Sequence, residues 1–447
     1  MVEATAKLIA METARNTASM AGEKISSGQR DRKRAGLVGT QLQVLAPLIL
    51  WPLAVLLGLQ LLFVESLNGA VTDDFTTVYS ALQRFLNGEN IYEQVYHHTD
   101  PLYLYNPGAT LFLSPIGLIA SAEVARACFI FANAASIIAS LAILTRMFGF
   151  SLRSALFPLS IVMAALTESV RNTLVFSNIN GLLLLALVGY LWCLTKKQRW
   201  ARWSAGLIIG LAIVVKPQFA PLLFLPFIMR WWSTIIVGIA VPVGLNLLAW
   251  PIAPGASNYR AELVPHLSQT RDFANSSLPG LAAYFDMPDW LYYPLWLFFA
   301  ATAGVTILAL LIIRRSDHLL WLVTTAGVLF CGVFFLSSLG QMYYSMLLFP
   351  MIFSVTRSRS VFHIWPTWLA TILFLSPLNW VTTWTPSTAL PVGQWINYFS
   401  ATAGWALLLL TTAVCAISWL LHDRHQTSAQ GLNGSAAEAD RNTASRA

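Results

Sequence analysis

Two adjacent carboxylates, Asp73 and Asp74, open the stretch VTDDFTTVYSALQRFLNGENIY at residues 71–92, directly after a long apolar run. Acids are scarce in this chain, with 20 Asp plus Glu among 447 residues. A carboxylate can take a proton from a hydroxyl, so a pair at the edge of an apolar segment invites a chemical explanation. The other polar residues that do not fit a purely apolar chain are few. They are Asp100, Asn178 and Asn180 in VFSNING, Lys216 in KPQ, Arg271, Asp272 and Asn275 in SQTRDFANSS, and Gln341, Tyr343 and Tyr344 in LGQMYYS. Lys216 and Arg271 suit an anion such as phosphate, which both residue types bind by charge-assisted hydrogen bonds. Amide and aromatic side chains suit sugar hydroxyls and sugar faces.

Each residue also has a plainer role. Asp73 and Asp74 could be solvated or cap a helix beginning near Thr76, since helix N-termini favour carboxylates. Asn178 and Asn180 could satisfy a turn, and Tyr343 and Tyr344 could anchor at a membrane interface. Arg271 and Asp272 could pair locally, and Asp100 before Pro101 could open a turn. His97 and His98 are neighbours that point to different sides of any helix or strand, which argues against a metal pair. Lys216 is the hardest to explain plainly, because a lysine between two apolar arms needs an anion or a cavity.

The elements that position these residues follow from composition. The chain is 56% hydrophobic and 11% charged, with a mean hydropathy of +0.62, whereas soluble domains carry roughly 25% charged residues. Many apolar stretches approach the ~20 residues that cross a bilayer. An all-α polytopic membrane protein with about 11–12 transmembrane helices is therefore expected. The net charge of +7 does not indicate nucleic acid, because the basic residues cluster at the ends of apolar runs, where they orient a membrane protein. Cys128, Cys193, Cys331 and Cys415 each sit in an apolar run, without metal-ligand spacing or a disulfide framework. Residues 1–42 form a basic cytoplasmic segment; residues 1–40 lack the apolar core of a cleavable signal. Residues 422–447 are polar and expected to be disordered.

Cytoplasmic anchors are RDRKR at 30–34, KKQRWAR at 196–202, Arg230, Arg314 with Arg315, Arg357 with Arg359, and His422 to Arg424. They place spans at about 46–66, 126–146, 154–171, 181–195, 232–250, 291–313, 319–336, 343–356, 361–377 and 401–421. Both termini are then cytoplasmic. Residues 67–125 form a first outer loop, with surface helices at 76–87 and 108–120, and 251–290 a second. Between Arg202 and Arg230, two apolar pieces are broken at KPQ. They form either a re-entrant hairpin or a pair of short spans, with Lys216 near the apex. This threading delivers all the unusual polar residues to the extracytoplasmic face. No nucleotide sugar is supplied there, so a transferase on that side needs a lipid-borne activated sugar.

The residues carry a resemblance. Acid–aromatic–x–x–V–Y, then G-x-x-I-Y, then D-P-x-Y-L-Y-x-P-G is similar to the first outer loop of the GT-C glycosyltransferases that use polyprenyl-phosphate sugars. TDDFTTVY (72–79), DPLYLYNPG (100–108), NTLVFSNING (172–181), KPQFAPLLFLP (216–226), TRDFANSS (270–277) and QMYYSMLLFP (341–350) resemble the branching arabinofuranosyltransferases of mycobacteria and corynebacteria. The resemblance runs from about 45 to 420, within a catalytic membrane domain at 43–421. It implies a helical membrane body with two juxtamembrane helices. It also implies inverting transfer of arabinofuranose from decaprenyl-phosphate to the 3-hydroxyl of an α-linked arabinan, as in arabinogalactan and lipoarabinomannan synthesis.

By the same resemblance the general base is Asp73 or Asp74, with Asp74 matching the wider family better. Asp100 is the third choice, or a ligand for sugar hydroxyls. Lys216 and Arg271 would hold the phosphate. Tyr103, Tyr105, Asn178, Asn180, Asn275, Gln341 and Tyr343 would bind sugar or headgroup. The motif reads YNPG where YPPG is expected, so Asn106 should loosen that turn. No residue demands a cofactor, although Asp73 and Asp74 could serve a divalent cation. Rival assignments are a polyprenyl-phosphate-mannose-dependent α-mannosyltransferase and a transporter or flippase of lipid-linked sugars. Transporters often carry paired broken helices, and this sequence has one broken pair.

Overall fold

The computed structural model describes residues 45–68, 74–96, 102–314, 316–383 and 385–444, with side chains described as far as Asp423. The basic N-terminal segment, Asp73, His97, His98, Asp100 and Arg315 lie outside the described residues. Every regular element among the described residues is helical.

Helix α1 spans Leu45–Ser66, and its last turn widens to a π-helix from Gln60. Helix α2, Asp74–Asn87, starts at the aspartate itself, two residues before the predicted start. Its buried residues Phe75, Tyr79 and Leu82 recur at spacings of four and three, as one face of a helix lying on a surface requires. Helix α3, Pro107–Leu118, is the second predicted surface helix. Helix α4 is Ala122–Met147. The predicted span 154–171 divides in two, into α5 (Leu156–Ala165) and α6 (Glu168–Val175). Thr167 causes the break: its backbone turns extended, and its hydroxyl accepts from the Val170 amide as an N-cap.

Helix α7 is Asn180–Leu194. The segment with two open alternatives is a pair of helices, α8 (Arg199–Val215) and α9 (Pro217–Met229), broken at Lys216. Lys216 is extended (φ −133°, ψ 102°), because the following proline disfavours the helical conformation. Helix α10 is Trp232–Ala249. Short turns over 256–268 lead to α11 (Leu278–Tyr284), α12 (Asp289–Ile313) and α13 (His318–Leu336). Helices α14 (Met342–Thr356) and α15 (Trp365–Leu375) follow. Helix α16 runs Leu390–Ala444. It starts eleven residues before the predicted span at 401, and its backbone stays helical over the tail expected to be disordered. That tail is rich in alanine with Gln, Glu and Arg, all good helix formers.

Among the described residues, six helices, α1, α4, α10, α12, α13 and α16 as far as Asp423, are long and apolar enough to cross a membrane unaided, and six shorter apolar helices of 10–17 residues accompany them. Large apolar residues stay exposed along the long helices, among them Leu56 on α1, Leu247 on α10 and Leu308 on α12. A water-soluble protein would bury such stripes; a bilayer covers them. The chain is a multi-pass membrane protein. Its core joins α4, α7, α8, α13, α14 and α16, with Trp321 and Trp405 fully buried. Trp405 donates to the Ser345 hydroxyl at 3.0 Å, which satisfies its one polar atom in the core. All four cysteines are free thiols, and Cys193 and Cys331 are buried as packing residues.

One contact sets the outer-loop helices on the bundle. The Gly108 amide donates to the Asn246 side-chain oxygen at 3.0 Å. A Cβ on Gly108 would lie 2.8 Å from the Asn246 backbone nitrogen, closer than side-chain carbons approach, so only glycine fits. Gly108→Ala should therefore cost about 1–3 kcal/mol through overpacking. A thermal melt of the detergent-solubilised variant that matches the parent would show this approach to be looser than described.

Candidate active site

A cavity of about 410 Å3 opens where α2, the 102–106 loop, the α6–α7 turn, the α8–α9 break, the 266–271 loop and the start of α14 meet. Asp74, Tyr105, Asn178, Lys216, Arg271 and Tyr343 all line it. These residues are separated by up to 269 positions in sequence, and the helix packing brings them together.

Asp74 sits in the first turn of α2, where the helix dipole favours a carboxylate. Its backbone amide donates to the Phe176 carbonyl at 3.0 Å, tying the helix start to the turn that carries Asn178. In that turn Ser177 has a left-handed φ of 51°, and the Asn178 side chain accepts from the Asn180 amide at 3.1 Å. The Asn180 side-chain oxygen then accepts from the Lys216 ammonium at 2.7 Å. Asn180 is buried behind the cavity wall and holds the lysine that faces the cavity. The ammonium also lies 4.3 Å from the centre of the Tyr344 ring and 5.9 Å from that of Tyr343, close enough for cation–π attraction.

Burial pulls the Lys216 pKa down to about 8, against the opposing pull of the Asp74 charge. Burial also pushes the Tyr105 phenol up, and the Asp74 carboxylate adds to the shift. Asn178, 5% exposed, leaves its side-chain nitrogen with no hydrogen-bond partner among the described residues, as do Asn180 and the Arg271 Nε. Buried donors without partners are expensive in a finished fold, and two of the three, on Asn178 and Arg271, belong to residues that line the cavity. Arg271 forms no ion pair with Asp272 among the described residues; its guanidinium reaches back to the Ala274 carbonyl at 3.1 Å.

Four of the candidate site residues do not line the cavity: Asn180, placed behind its wall, and Tyr103, Asn275 and Gln341. Tyr103 is fully buried behind it, sharing a hydrogen bond with Thr110 at 2.6 Å. Asn275 spends its side chain on backbone: it donates to the carbonyls of Arg271 and Ser338 and accepts from the amides of Ser277 and Gly340. It shapes the loop that presents Arg271. Gln341 precedes α14 and accepts the Tyr344 amide on its backbone carbonyl. Gln218, Tyr344, His266 and Gln269 line the cavity as well. Gln218 and Tyr344 sit inside the KPQ and QMYYS motifs, whereas His266 and Gln269 carry no sequence signal beyond their place in the second outer loop.

Asn106 overturns its expectation. It does not loosen the YNPG turn but caps α3, accepting from the Ala109 amide at 2.9 Å. It also donates to the Val214 carbonyl at 2.7 Å, two residues before Lys216. One side chain thus joins the Tyr105 loop to the lysine. No group of three His, Cys, Asp or Glu side chains that could hold a metal occurs among the described residues. Asp73 and Asp100, the other candidate acids, lie outside them.

Such a cavity can hold an anion at Lys216 and Arg271 and present a carboxylate to a hydroxyl beside it. Comparison with known proteins narrows the chemistry. A family model described as glycosyltransferase family 87 matches residues 103–338. An alpha-(1->3)-arabinofuranosyltransferase of Corynebacterium glutamicum is 53% identical over 375 residues, covering 84% of this chain and 88% of that protein. Proteins of the same name from Mycolicibacterium smegmatis and Mycobacterium tuberculosis are 39% and 38% identical. They cover 81% and 88% of this chain, and 83% and 88% of their own lengths.

The depressed Lys216 pKa has a direct readout. An amine half neutral near pH 8 should react with a small acylating reagent between pH 7 and 9, where ordinary lysines with a pKa near 10.4 stay protonated. Peptide mass spectrometry in which the labelling rate of Lys216 keeps rising ten-fold per pH unit beyond pH 9, with no plateau, would contradict the lowered pKa.

Proposed function

The chain belongs to glycosyltransferase family 87, and on that premise we propose that it transfers arabinofuranose from a decaprenyl-phosphate carrier to the 3-hydroxyl of a cell-wall arabinan chain. The convergence of Asp74, Lys216 and Arg271 on one cavity carries this reading. The chain is an enzyme, a membrane glycosyltransferase. The names of its relatives support the sugar and the linkage. They favour arabinose over the mannose of the rival reading, and the family sets it apart from a flippase.

The reaction is a single displacement. The Asp74 carboxylate takes the proton of the acceptor 3-hydroxyl as its oxygen forms a bond to the anomeric carbon. The bond from that carbon to the phosphate oxygen breaks, and decaprenyl phosphate leaves with the electron pair. A β-linked donor thereby yields an α product. Lys216 and Arg271 neutralise the charge that grows on the leaving phosphate, which lowers the barrier more than it tightens ground-state binding. The free Asn178 donor is placed for a sugar hydroxyl or a phosphate oxygen. Asp73 stands as the alternative base and Asp100 as the third. Tyr105 and Tyr343 offer ring faces to the sugar.

The active site is on the extracytoplasmic face in this reading. Helix α13 supports the orientation. At one end Arg357 pairs with Asp317 at 2.6 Å, beside the basic residues that mark the cytoplasm. Ser337 follows the other end and lines the cavity. Nineteen residues at 1.5 Å each put about 28 Å between the ends, close to the ~30 Å hydrocarbon thickness.

Incubation with synthetic decaprenyl-phosphate arabinofuranose and a linear α-(1→5) arabinan should give 3,5-branched residues on linkage analysis. Transfer only from polyprenyl-phosphate mannose would overturn the sugar assignment. Asp74→Asn should lower the rate about 10²–10⁴-fold, the usual contribution of a general base, while the protein still folds and inserts. Full activity would remove Asp74 as the base. Donor affinity should fall as pH rises through about 8, where Lys216 loses its charge. Lys216→Arg keeps the charge and should flatten that fall; an unchanged pH profile would contradict the phosphate role.

A further inference from the structure

At the end of α8 remote from Lys216, five cations crowd a surface that has no acid to meet them. Lys196 and Lys197 lie in the turn after α7, Arg199 and Arg202 in the first turns of α8, and Arg230 between α9 and α10. No Asp or Glu occurs between Glu168 and Glu262, and none of the five forms an ion pair among the described residues. The start of α13 brings one acid toward this end of the bundle, where the His318 ring bonds the Leu194 carbonyl at 3.3 Å. That acid, Asp317, is already engaged by Arg357 and by the Leu320 amide. Arg359 is likewise met by Asp423 at 2.6 Å. The Arg202 Nε, by contrast, is buried with no hydrogen-bond partner among the described residues.

Helix packing makes these cations one surface. The Thr234 hydroxyl donates to the Arg202 carbonyl at 2.9 Å, and a Cβ on Gly206 or Gly210 would meet the Cβ of Val237 or Val241 at 2.7 Å. Contacts that advance in step along both helices mean that α8 and α10 run parallel, so their N-termini lie side by side. The Arg202 guanidinium sits 5.0 Å from the centre of the Trp231 ring, directly after Arg230 in the chain. The Lys196 ammonium sits 4.7 Å from that of Trp192, which meets Trp200 at 5.8 Å. Arg199 and Arg202, three apart, share a helix face. Neither helix has a side-chain cap or an acid in its first turn. A helix N-terminus carries partial positive charge and disfavours cations, so both termini add to the five charges instead of offsetting them. Arg230 has a left-handed φ of 59°, a conformation that suits glycine. An exposed arginine holds that position against the backbone preference.

Such a surface needs an anion, and its surroundings select the kind. Trp200, Trp203 and Trp232 are exposed beside the cations, and Leu207, Ile236 and Ile239 stay exposed further along α8 and α10. Indoles favour the level where headgroups meet hydrocarbon, and clustered Lys and Arg at that level attract anionic lipid. We infer that the paired starts of α8 and α10 bind the headgroup of an anionic phospholipid, with its phosphate among Arg199, Arg202 and Arg230 and its acyl chains along the exposed apolar faces. The 17 residues of α8 put about 25 Å between this site and Lys216, so it is separate from the polar cavity and lies at the opposite membrane face. A headgroup bridging the two turns ties α8, which ends at Lys216, to α10, which holds α3 through Asn246.

Arg230→Gly separates charge from fold, because glycine suits the left-handed backbone while the cation is lost. Arg199 is exposed, so Arg199→Gln removes a second cation, one that the helix dipole disfavours, without opening the core. Arg146 and Arg153 are exposed at the same end of the bundle, around the α4–α5 turn. Arg146→Gln with Arg153→Gln removes equal charge outside the patch and is the control.

The full-length protein in a neutral detergent is titrated with phosphatidylglycerol, phosphatidylcholine or inorganic phosphate, and followed by native mass spectrometry and thermal melting. Phosphatidylglycerol should give a saturating adduct at a concentration about ten-fold or more below that needed for phosphatidylcholine, and should raise the melting midpoint. Inorganic phosphate that raises the midpoint as much at equal concentration would show a small-anion site only and overturn the lipid assignment. The Arg199→Gln, Arg230→Gly variant should melt no lower than the parent without added lipid, and should bind phosphatidylglycerol about ten-fold or more weakly. A lower lipid-free midpoint would show that the two arginines brace the fold itself, and parent-like binding would show that they hold no lipid; either overturns the inference. The control variant should bind as the parent does. An equal loss there would reduce the patch to general attraction between a basic surface and anionic lipid, and overturn it too. Binding is read without sugar transfer, so these outcomes are independent of the arabinose assignment.

Discussion

A lysine ammonium held between two apolar helices governs the rest of this structure. An isolated charge at that depth is costly, and the cost falls only when hydrogen bonds, ring faces or an opposite charge surround it. Lys216 has the Asn180 side-chain oxygen at 2.7 Å and the Tyr344 ring at 4.3 Å, and Asp74 opposes the loss of its charge across the cavity. Each partner arrives on a different element. The α6–α7 turn, the start of α14 and the start of α2 must therefore all meet the α8–α9 break at one level.

Short polar links hold that meeting in place. The Asp74 amide bonds to Phe176, Asn178 caps Asn180, Asn180 holds Lys216, and Asn106 joins Val214 to the α3 start. Asn246 and Gly108 pin α3 against α10. All but the Asn180–Lys216 link end on a backbone group, and all are short, so the cavity inherits the rigidity of the helices. A phosphate entering it finds cations and amide donors already oriented, which is the condition for stabilising developing charge without reorganisation. The donors left without partners on Asn178 and Arg271 are the price of that readiness.

The same arrangement gives the cavity two kinds of surroundings. Toward the outer loops it is walled by His266, Gln269 and Tyr259, side chains suited to a hydrophilic glycan. Toward the bundle it meets the apolar walls of α12 and α13 at Ser337. A reaction between a lipid-borne sugar and a water-soluble chain needs such a junction, because neither substrate can enter the other's solvent.

Composition and charge position determined a good deal by themselves. Long apolar runs with basic ends have one solution in water and lipid, so the helical membrane body and most helix positions were legible. So was the oddity of Lys216, because a cation between apolar arms requires an explanation at any register. A surface helix over 76–87 was expected as well, whereas its start at Asp74 and its buried face of Phe75, Tyr79 and Leu82 came from the structure. Only tertiary structure decided which polar residues share a cavity. Tyr103 and Asn275 have the same chemistry as Tyr105 and Asn178, and nothing local separates them. The difference is that Tyr103 turns to Thr110, seven residues on, while Asn275 meets two neighbouring backbone groups and also those of Ser338 and Gly340, 63 and 65 residues away, which only the packed fold brings to it. Asn106 makes the same point in reverse. Its type suggests a slack turn, yet its partner is the Val214 carbonyl, 108 residues away. Hydrogen-bond partners at that range depend on how helices pack, and packing is a property of the whole chain rather than of any motif within it.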